Sequence, residues 1–122
     1  MTLDSMPRRF LLVCADDAQP PRYSWQIRHA LETLGWEVGV FNYRFAQMHR
    51  VAFTQNLVSS MLVRRVKEWH PEAMLVIKGE ALVPGTVRTI KESGVVCANW
   101  TLDEPCGEFG RYNKVQNVAE YD

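Results

Sequence analysis

The chain has 122 residues, of which 47% are hydrophobic and 23% charged, as in an ordinary globular protein that forms one domain around one core. Fourteen basic and fourteen acidic side chains balance to zero formal charge, which argues against a protein that binds nucleic acid through bulk positive charge. The sequence has no apolar run of about 18 residues and no signal-peptide pattern, so it predicts a cytoplasmic protein without a membrane span.

Four short apolar segments predict β-strands. Phe10–Ala15, Ala73–Ile77 and Val95–Ala98 are continuous runs without alternation, as is typical of parallel strands that are buried on both faces of a sheet. Glu37–Phe41 alternates more and contains Gly39, which places this strand nearer an edge. The chain therefore supplies four strands of a predicted parallel sheet.

Helical patterns lie between these strands. Ser24 is predicted to cap the first helix and Gly35 to end it. The core face of this helix is predicted to carry Ile27, Ala30, Leu31 and Leu34. A shorter helix is predicted over Pro84–Gly94, and a further one over about Arg111–Glu120.

The longest predicted helix, His49–Trp69, has apolar side chains at three- and four-residue spacing. This predicted core face consists of Phe53, Leu57, Val58, Met61, Leu62, Val66 and Trp69. Pro71 ends the helix, because proline cannot continue it and disfavours the helical state in the residue before it. The stretch Val38–Lys67 carries five cations and no acid. Those cations either attract an anionic ligand or partner, or form the solvent-exposed face of the helix.

The alternation of strands and helices predicts an α/β fold, a Rossmann-like doubly wound parallel sheet in three α/β/α layers. Residues 1–8 are predicted to be a flexible N-terminus and residues 9–122 the folded domain. Ligands bind beyond the carboxyl ends of the strands in such sheets. A functional site is therefore expected in the loops Asp16–Tyr23, Asn42–Gln47, Lys78–Val83 and Asn99–Gly110.

The loop after the first strand contains Asp16, Asp17, Arg22 and Tyr23. It is not rich in glycine, which argues against a dinucleotide-binding loop or a P-loop phosphate cradle. Paired aspartates could hold Mg²⁺ as in a receiver domain. A receiver, however, needs an aspartate after the third strand, where this chain has Lys78-Gly79. The aspartates are either ligand contacts or solvated loop residues.

The cysteines and histidines do not form a metal-binding pattern. Cys14, Cys97 and Cys106 are too scattered for a disulfide framework or a zinc site. The three histidines fall on different predicted elements. The sequence therefore predicts no metal site.

Lys78, Gly79 and Glu80 follow the third predicted strand. Gly79 allows a turn with positive φ, and the two charged side chains could donate to and accept from the hydroxyls of a ligand. The same two side chains could equally pair with each other or cap the following helix.

The loop after the fourth strand places Trp100 ahead of Asp103 and Glu104. An indole beside carboxylate acceptors suits a sugar, because one face of a sugar ring is apolar and its rim carries hydroxyls. Asp103 could also act as a general base. The alternative is a core tryptophan followed by a polar loop.

Three short motifs occur in a characteristic order: Val76-Ile77-Lys78-Gly79, then Leu82-Val83-Pro84, then Trp100 followed by Asp103-Glu104-Pro105. Together with the frame of the first two strands, they resemble the N-terminal region of the CgeB-like, spore-maturation-type glycosyltransferases, which have the GT-B architecture. The resemblance extends from about residue 9 to residue 122.

A GT-B enzyme has two Rossmann-like domains that face each other across a cleft. The resemblance implies that this chain is the N-terminal, acceptor-side half, and that Tyr121-Asp122 open a fifth strand before which the sheet is truncated. No cofactor is expected in this chain. The nucleotide-sugar donor is expected in a missing C-terminal domain, which would be its partner.

On this hypothesis the loop residues take roles in binding an acceptor. Asp103 is expected to be a base or a partner of the acceptor hydroxyl, and Trp100 a stacking surface. Lys78, Gly79 and Glu80 are expected to contact an acceptor sugar or another hydroxyl-bearing small molecule. The remaining expected acceptor contacts are Glu104, Asp16, Arg22 and Tyr23. Catalysis is expected only as part of a longer chain. The alternative function is a small non-catalytic α/β module that binds a ligand or docks on a protein.

Overall fold

The computed structural model describes residues 8–45, 51–79, 81–100 and 118–122. Its four strands are β1 (Arg8–Cys14), β2 (Trp36–Asn42), β3 (Ala73–Ile77) and β4 (Val96–Trp100). Its helices are α1 (Tyr23–Thr33), α2 (Ala52–Trp69), α3 (Thr86–Lys91) and a short 3₁₀ helix (Val118–Glu120). No helix within these ranges is long and apolar enough to cross a membrane.

All four strands are parallel and lie in the order β2-β1-β3-β4. β1 pairs with β2 along its whole length, from Arg8 opposite Trp36 to Cys14 opposite Asn42. On its other side β1 pairs with β3, and β3 pairs with β4. This topology confirms the predicted Rossmann-like α/β fold, and it places β2 at an edge of the sheet as expected.

Helices cover both faces of the sheet. Leu11 and Val13 of β1 belong to the apolar cluster that contains the buried side chains of α2 and α3. Leu12 and Cys14 belong to a second cluster, which Ile27 of α1 contacts. Since successive side chains of a strand point to opposite faces, α1 lies on one face and the other two helices on the other. The sheet is therefore doubly wound.

The start of α1 differs from the prediction. Arg22 is the N-cap, and Ser24 lies inside the helix, buried, where its hydroxyl donates a hydrogen bond to Asp16. Ser24 thus bonds to the preceding loop rather than to the helix backbone. Leu34, predicted on the core face, is 77% exposed. The end at Gly35 is confirmed, since its φ of +100° is the left-handed conformation that ends helices.

The core face of α2 is partly confirmed and partly wrong. Val58, Leu62 and Val66 are buried as predicted. Three other predicted core residues lie on the outside: Phe53 is 77% exposed, Leu57 41% and Met61 51%. Two polar residues, Thr54 and Ser59, are buried in their place.

Ser59 gives the physical reason for this rotation of the helix. Its hydroxyl oxygen accepts a hydrogen bond of 3.0 Å from the backbone N–H of Val83, in the segment that leads into α3. A partly buried N–H is stabilised by such a partner, and a small polar side chain of α2 faces that segment. The larger apolar side chains of α2 are turned away from it.

The remaining boundaries shift by a few residues. The helix α2 ends as predicted, with His70 in the left-handed conformation at φ +55°. The helix α3 is shorter than the predicted Pro84–Gly94, and β4 extends to Trp100. Most of the helix predicted over residues 111–120 lies outside the described residues.

The last two residues lie along the outer edge of β4. The backbone N–H of Asp122 donates to the carbonyl of Cys97 at 2.7 Å. The Asp122 carboxylate in turn accepts from the Cys97 N–H at 2.7 Å and pairs with Lys91 at 3.0 Å. The hydrogen bond that the carboxylate accepts from the Cys97 N–H and the ion pair with Lys91 stabilise its charged form, so the pKa of Asp122 lies below its ordinary range. The fifth strand itself stays a prediction.

Candidate functional site

A turn of unusual conformation follows β3 at the carboxyl end of the sheet. Lys78 has a φ of +69° and Gly79 a φ of +90°. The left-handed conformation is unfavourable for lysine, so the surrounding structure must hold it in place. The turn is therefore a position where the fold maintains a strained conformation at the edge predicted to bind ligand.

Tyr43 is buried beneath this turn. Its hydroxyl donates to the carbonyl of Ile77 and accepts a hydrogen bond of 3.2 Å from the N–H of Gly79. The N–H of Tyr43 itself donates to the carbonyl of Cys14 at 2.8 Å. Tyr43 thus connects the carboxyl ends of β1 and β3, through its backbone and its hydroxyl respectively, and its hydroxyl fixes the turn from below.

Asn99 of β4 holds the same turn from the side. Its amide donates to the carbonyl of Val76 at 2.9 Å and to that of Lys78 at 3.1 Å. The N–H of Lys78 donates to the carbonyl of Trp100 at 2.8 Å. The turn after β3 and the end of β4 are therefore tied together.

Gly79 is required at its position for space as well as for conformation. A Cβ atom there would lie 2.9 Å from Cγ1 of Val76 and 3.1 Å from the hydroxyl oxygen of Tyr121. Tyr121 is half-buried against the core, and this burial raises the pKa of its phenol. Its hydroxyl therefore stays protonated beside the turn at neutral pH.

Trp100 and Lys78 are neighbours at this edge. Trp100 is 49% exposed, so its indole offers a surface to solvent rather than belonging to the core. Lys78 is half-buried, and its ammonium pairs with no carboxylate of the described residues. An aromatic surface and a cation thus lie at the ends of adjacent strands.

The loop after β1 is organised by Asp16. One carboxylate oxygen accepts the N–H of Ala18 at 2.8 Å and the hydroxyl of Ser24. The Cys14 thiol donates to the backbone carbonyl of Asp16 at 3.2 Å. Burial raises the pKa of Cys14 to about 11, so this thiol is unreactive at neutral pH. The two hydrogen bonds that the Asp16 carboxylate oxygen accepts fold the loop, as in an Asx turn.

The other predicted residues of this loop lie nearer the surface. Arg22 is exposed and caps α1, with its N–H donating to the carbonyl of Gln19 at 3.0 Å. Tyr23 is 37% exposed at the first position of α1. Both side chains lie at the carboxyl end of the sheet, after the strand next to β3.

The structure brings some of the predicted site residues together. Lys78, Gly79 and Trp100 form one cluster, and Asp16, Arg22 and Tyr23 belong to the neighbouring loop. Glu80, Asp103 and Glu104 lie outside the described residues. Within the described ranges, no three carboxylate, imidazole or thiol side chains come close enough together to hold a metal ion.

Sequence reasoning did not single out Tyr43 and Asn99, which hold the turn, or Tyr121, whose hydroxyl lies beside Gly79. Asn99 carried a signal, since an amide that directly follows a buried apolar strand needs a hydrogen-bond partner. Tyr43 follows an edge strand, and nothing in its sequence neighbourhood indicates that it is buried.

A groove opens between α2 and the segment that leads into α3. It has a volume of about 410 Å³ and is lined mainly by small side chains. Asn56, Ser60, Gly85 and Thr89 are among them. Both helices begin near the carboxyl end of the sheet, so the groove lies on the flank of the predicted ligand-binding edge.

Comparisons with family models, with curated proteins and with solved structures find no match to this chain.

Proposed function

We propose that this chain is the acceptor-side half of a GT-B glycosyltransferase of the CgeB-like kind, and that the carboxyl edge of its sheet binds a hydroxyl-bearing acceptor. The observation that carries the proposal is the juxtaposition of Lys78 and Trp100, whose backbones are joined by a hydrogen bond of 2.8 Å. The motif order in the sequence supplies the reaction class.

The chemistry of these two side chains suits a sugar. The half-exposed indole of Trp100 can stack on the apolar C–H face of a pyranose ring. The ammonium of Lys78 has three donors for hydroxyl oxygens on the rim of the same ring. The hydrogen bond that Asn99 donates to Lys78 and the one that Tyr43 accepts from Gly79 keep the backbone of the turn in one conformation, which lowers the entropy cost of binding.

The proposed reaction needs a base and a second domain. Asp103 would take the proton of the acceptor hydroxyl as it attacks the donor sugar, with Glu104 and Glu80 as further acceptor contacts. The nucleotide-sugar donor would bind to the second domain, which would stabilise the leaving diphosphate. A cytoplasmic location is part of the proposal, since Cys14 and Cys97 are free thiols.

The experiment is a titration of the chain with simple methyl glycosides, followed by tryptophan fluorescence. We expect a glycoside to change the emission of the wild-type chain, and Trp100→Phe to abolish the change. Lys78→Met should weaken binding by about tenfold, because it removes the charged donor. Trp36→Phe is the matched control, since Trp36 lies at the opposite end of the sheet beneath Arg8.

An unchanged glycoside response in Trp100→Phe would contradict the proposed acceptor site. Equally tight binding of a nucleotide sugar and a glycoside would contradict the assignment of this half to the acceptor. Reading the native coding DNA beyond the codon for Asp122 tests the two-domain architecture separately.

The alternative is a non-catalytic module that binds a ligand or docks on a protein. The exposed apolar side chains of α2 favour it, because a surface of this kind is typical of interaction sites. Glycoside binding by the full native protein without sugar transfer from any nucleotide sugar would support this alternative.

A further inference from the structure

Two tyrosine hydroxyls lie at the turn after β3, and the fold uses them differently. The hydroxyl of Tyr43 donates to the carbonyl of Ile77 and accepts from the N–H of Gly79. The hydroxyl of Tyr121 lies beside the same glycine, 3.1 Å from the position that a Cβ atom there would take. Among the described residues it has no hydrogen-bond partner. One phenol therefore holds the turn, and the other is left over.

The ring of Tyr121 is largely buried, whereas its hydroxyl is open to solvent. The ring packs against the larger of the two core clusters. In the part of the chain that the structure describes, Nε of Arg28 is the one side-chain nitrogen or oxygen that is both buried from water and without a partner. The Tyr121 hydroxyl has no partner either, so it lies in contact with solvent. A tyrosine with a buried ring usually gives its hydroxyl a hydrogen-bond partner. This position therefore offers a hydrogen-bonding group that the described fold does not use.

The residues on either side of Tyr121 are held in place. Glu120 accepts two hydrogen bonds from the guanidinium of Arg88, at 2.7 and 3.0 Å. Asp122 and Cys97 exchange two hydrogen bonds, each of 2.7 Å. The chain around Tyr121 is thus attached both to α3 and to β4. A group that is fixed before a ligand arrives loses little conformational entropy when it binds.

The hydroxyl belongs to the edge where the acceptor is proposed to bind. Gly79 directly follows Lys78, so the phenol lies beside the turn that carries the proposed ammonium donor. Burial raises the pKa of Tyr121, which keeps the phenol protonated at neutral pH. An ammonium only donates hydrogen bonds, whereas a phenol both donates and accepts them. The two groups together suit two hydroxyls of one sugar ring.

We propose that Tyr121 is a further ligand-binding residue of this edge. Its hydroxyl makes a hydrogen bond with one hydroxyl of the acceptor, while Lys78 binds another. This inference rests on the proposed function, because it adds a contact to the same site. A site built around a hydroxyl discriminates against the analogue that lacks it, so Tyr121 contributes to specificity as well as to affinity.

The experiment combines Tyr121→Phe with methyl glucoside, methyl galactoside and their monodeoxy derivatives, followed by tryptophan fluorescence. For the wild type we expect one monodeoxy derivative to bind about tenfold more weakly than its parent. Tyr121→Phe should bind the parent about tenfold more weakly and should no longer distinguish it from that derivative. Coupling of this kind between a protein group and a ligand group identifies a direct contact.

A second measurement separates a binding role from a structural one. Tyr121→Phe removes a hydroxyl that bonds to none of the described residues, so its urea midpoint should equal that of the wild type. Lys78→Met should weaken binding but keep the discrimination against the same derivative, because it removes a different donor. Thr33→Val is the matched control. It removes a hydroxyl near the end of α1 and should bind every glycoside as the wild type does.

The results distinguish the two proposals. Equal affinity of Tyr121→Phe and the wild type for the parent glycoside would overturn this inference and leave the proposed function standing. A lower urea midpoint of Tyr121→Phe, with the discrimination between glycosides unchanged, would overturn it too and make the hydroxyl a structural group. If no glycoside changes the fluorescence of the wild type, both the proposed acceptor site and this inference are wrong.

Discussion

The turns after β1 and β3 lie at the same edge of the sheet, side by side. The first is held by residues close in sequence, since Asp16 bonds to Ala18 and to Ser24, eight positions away. The second is held by Tyr43, 36 positions before Gly79, and by Asn99, 21 positions after Lys78. A locally closed turn can form early and alone, whereas a turn held by distant residues exists only once the sheet is assembled. The conformation of the second turn therefore depends on the assembled sheet.

The largest effect is expected for Tyr43→Phe. This change leaves the Gly79 N–H and the Ile77 carbonyl without their buried partner, at a cost of about 2 kcal/mol in the free energy of unfolding. Urea denaturation should show a lower midpoint with an unchanged slope. Thr33→Val is the control, because it removes an exposed hydroxyl bonded within α1 and should change stability by less than about 0.5 kcal/mol. A wild-type midpoint in Tyr43→Phe would mean that Asn99 alone holds the turn.

A smaller loss is expected for Asp16→Ala. This change removes the acceptor of the Ala18 N–H and of the Ser24 hydroxyl. The loop is partly exposed, so water can replace part of the lost hydrogen bonding. We therefore expect the free energy of unfolding to fall by about 1 kcal/mol. Asp17→Ala, at an exposed neighbouring position, should stay within about 0.5 kcal/mol of the wild type. The contrast between the two turns fails if Asp16→Ala destabilises the chain as much as Tyr43→Phe does.

The smallest effect, and one that depends on pH, is expected for Asp122→Asn. Hydrogen bonding to the Cys97 N–H and pairing with Lys91 lower the pKa of Asp122 in the folded chain. The unfolded chain therefore binds this proton more readily, and the contribution is present at neutral pH and lost as the pH falls below about 4. Asp122→Asn should remove part of this acid sensitivity.

The check is the urea midpoint at pH 7 and at pH 3 for both proteins. Lys91→Met is the matched variant, since it removes the partner and should lower the stability at pH 7 in the same direction. Parallel pH profiles for the wild type and Asp122→Asn would mean that the carboxylate adds nothing to the contact with β4. The pH profile bears on the turn after β3 and not on the turn after β1. Asp122 lies next to Tyr121, whose hydroxyl lines the space at Gly79.

The two turns also differ in how far they could be predicted. The sequence singled out both loops, because each follows an apolar strand and carries polar residues. It did not indicate that Tyr43 lies beneath Gly79, since that contact requires β1 and β3 to be adjacent. It also assigned Ser24 to a cap, because serine before a helix pattern usually plays that role. The competing acceptor, Asp16, is found only when the loop folds back.

The amino-acid sequence alone determined the fold class and most of the elements. The apolar runs gave β3 at its observed bounds, and His70 and Gly35 end their helices where expected. Neighbouring residues encode these features, because a strand needs an apolar run of the right length and a helix end needs a local conformational preference. Tertiary structure decided which side of α2 is buried. That helix has apolar residues on more than one side, and the contact of Ser59 with Val83 turns Val58 and Leu62 inward and leaves Phe53 outside.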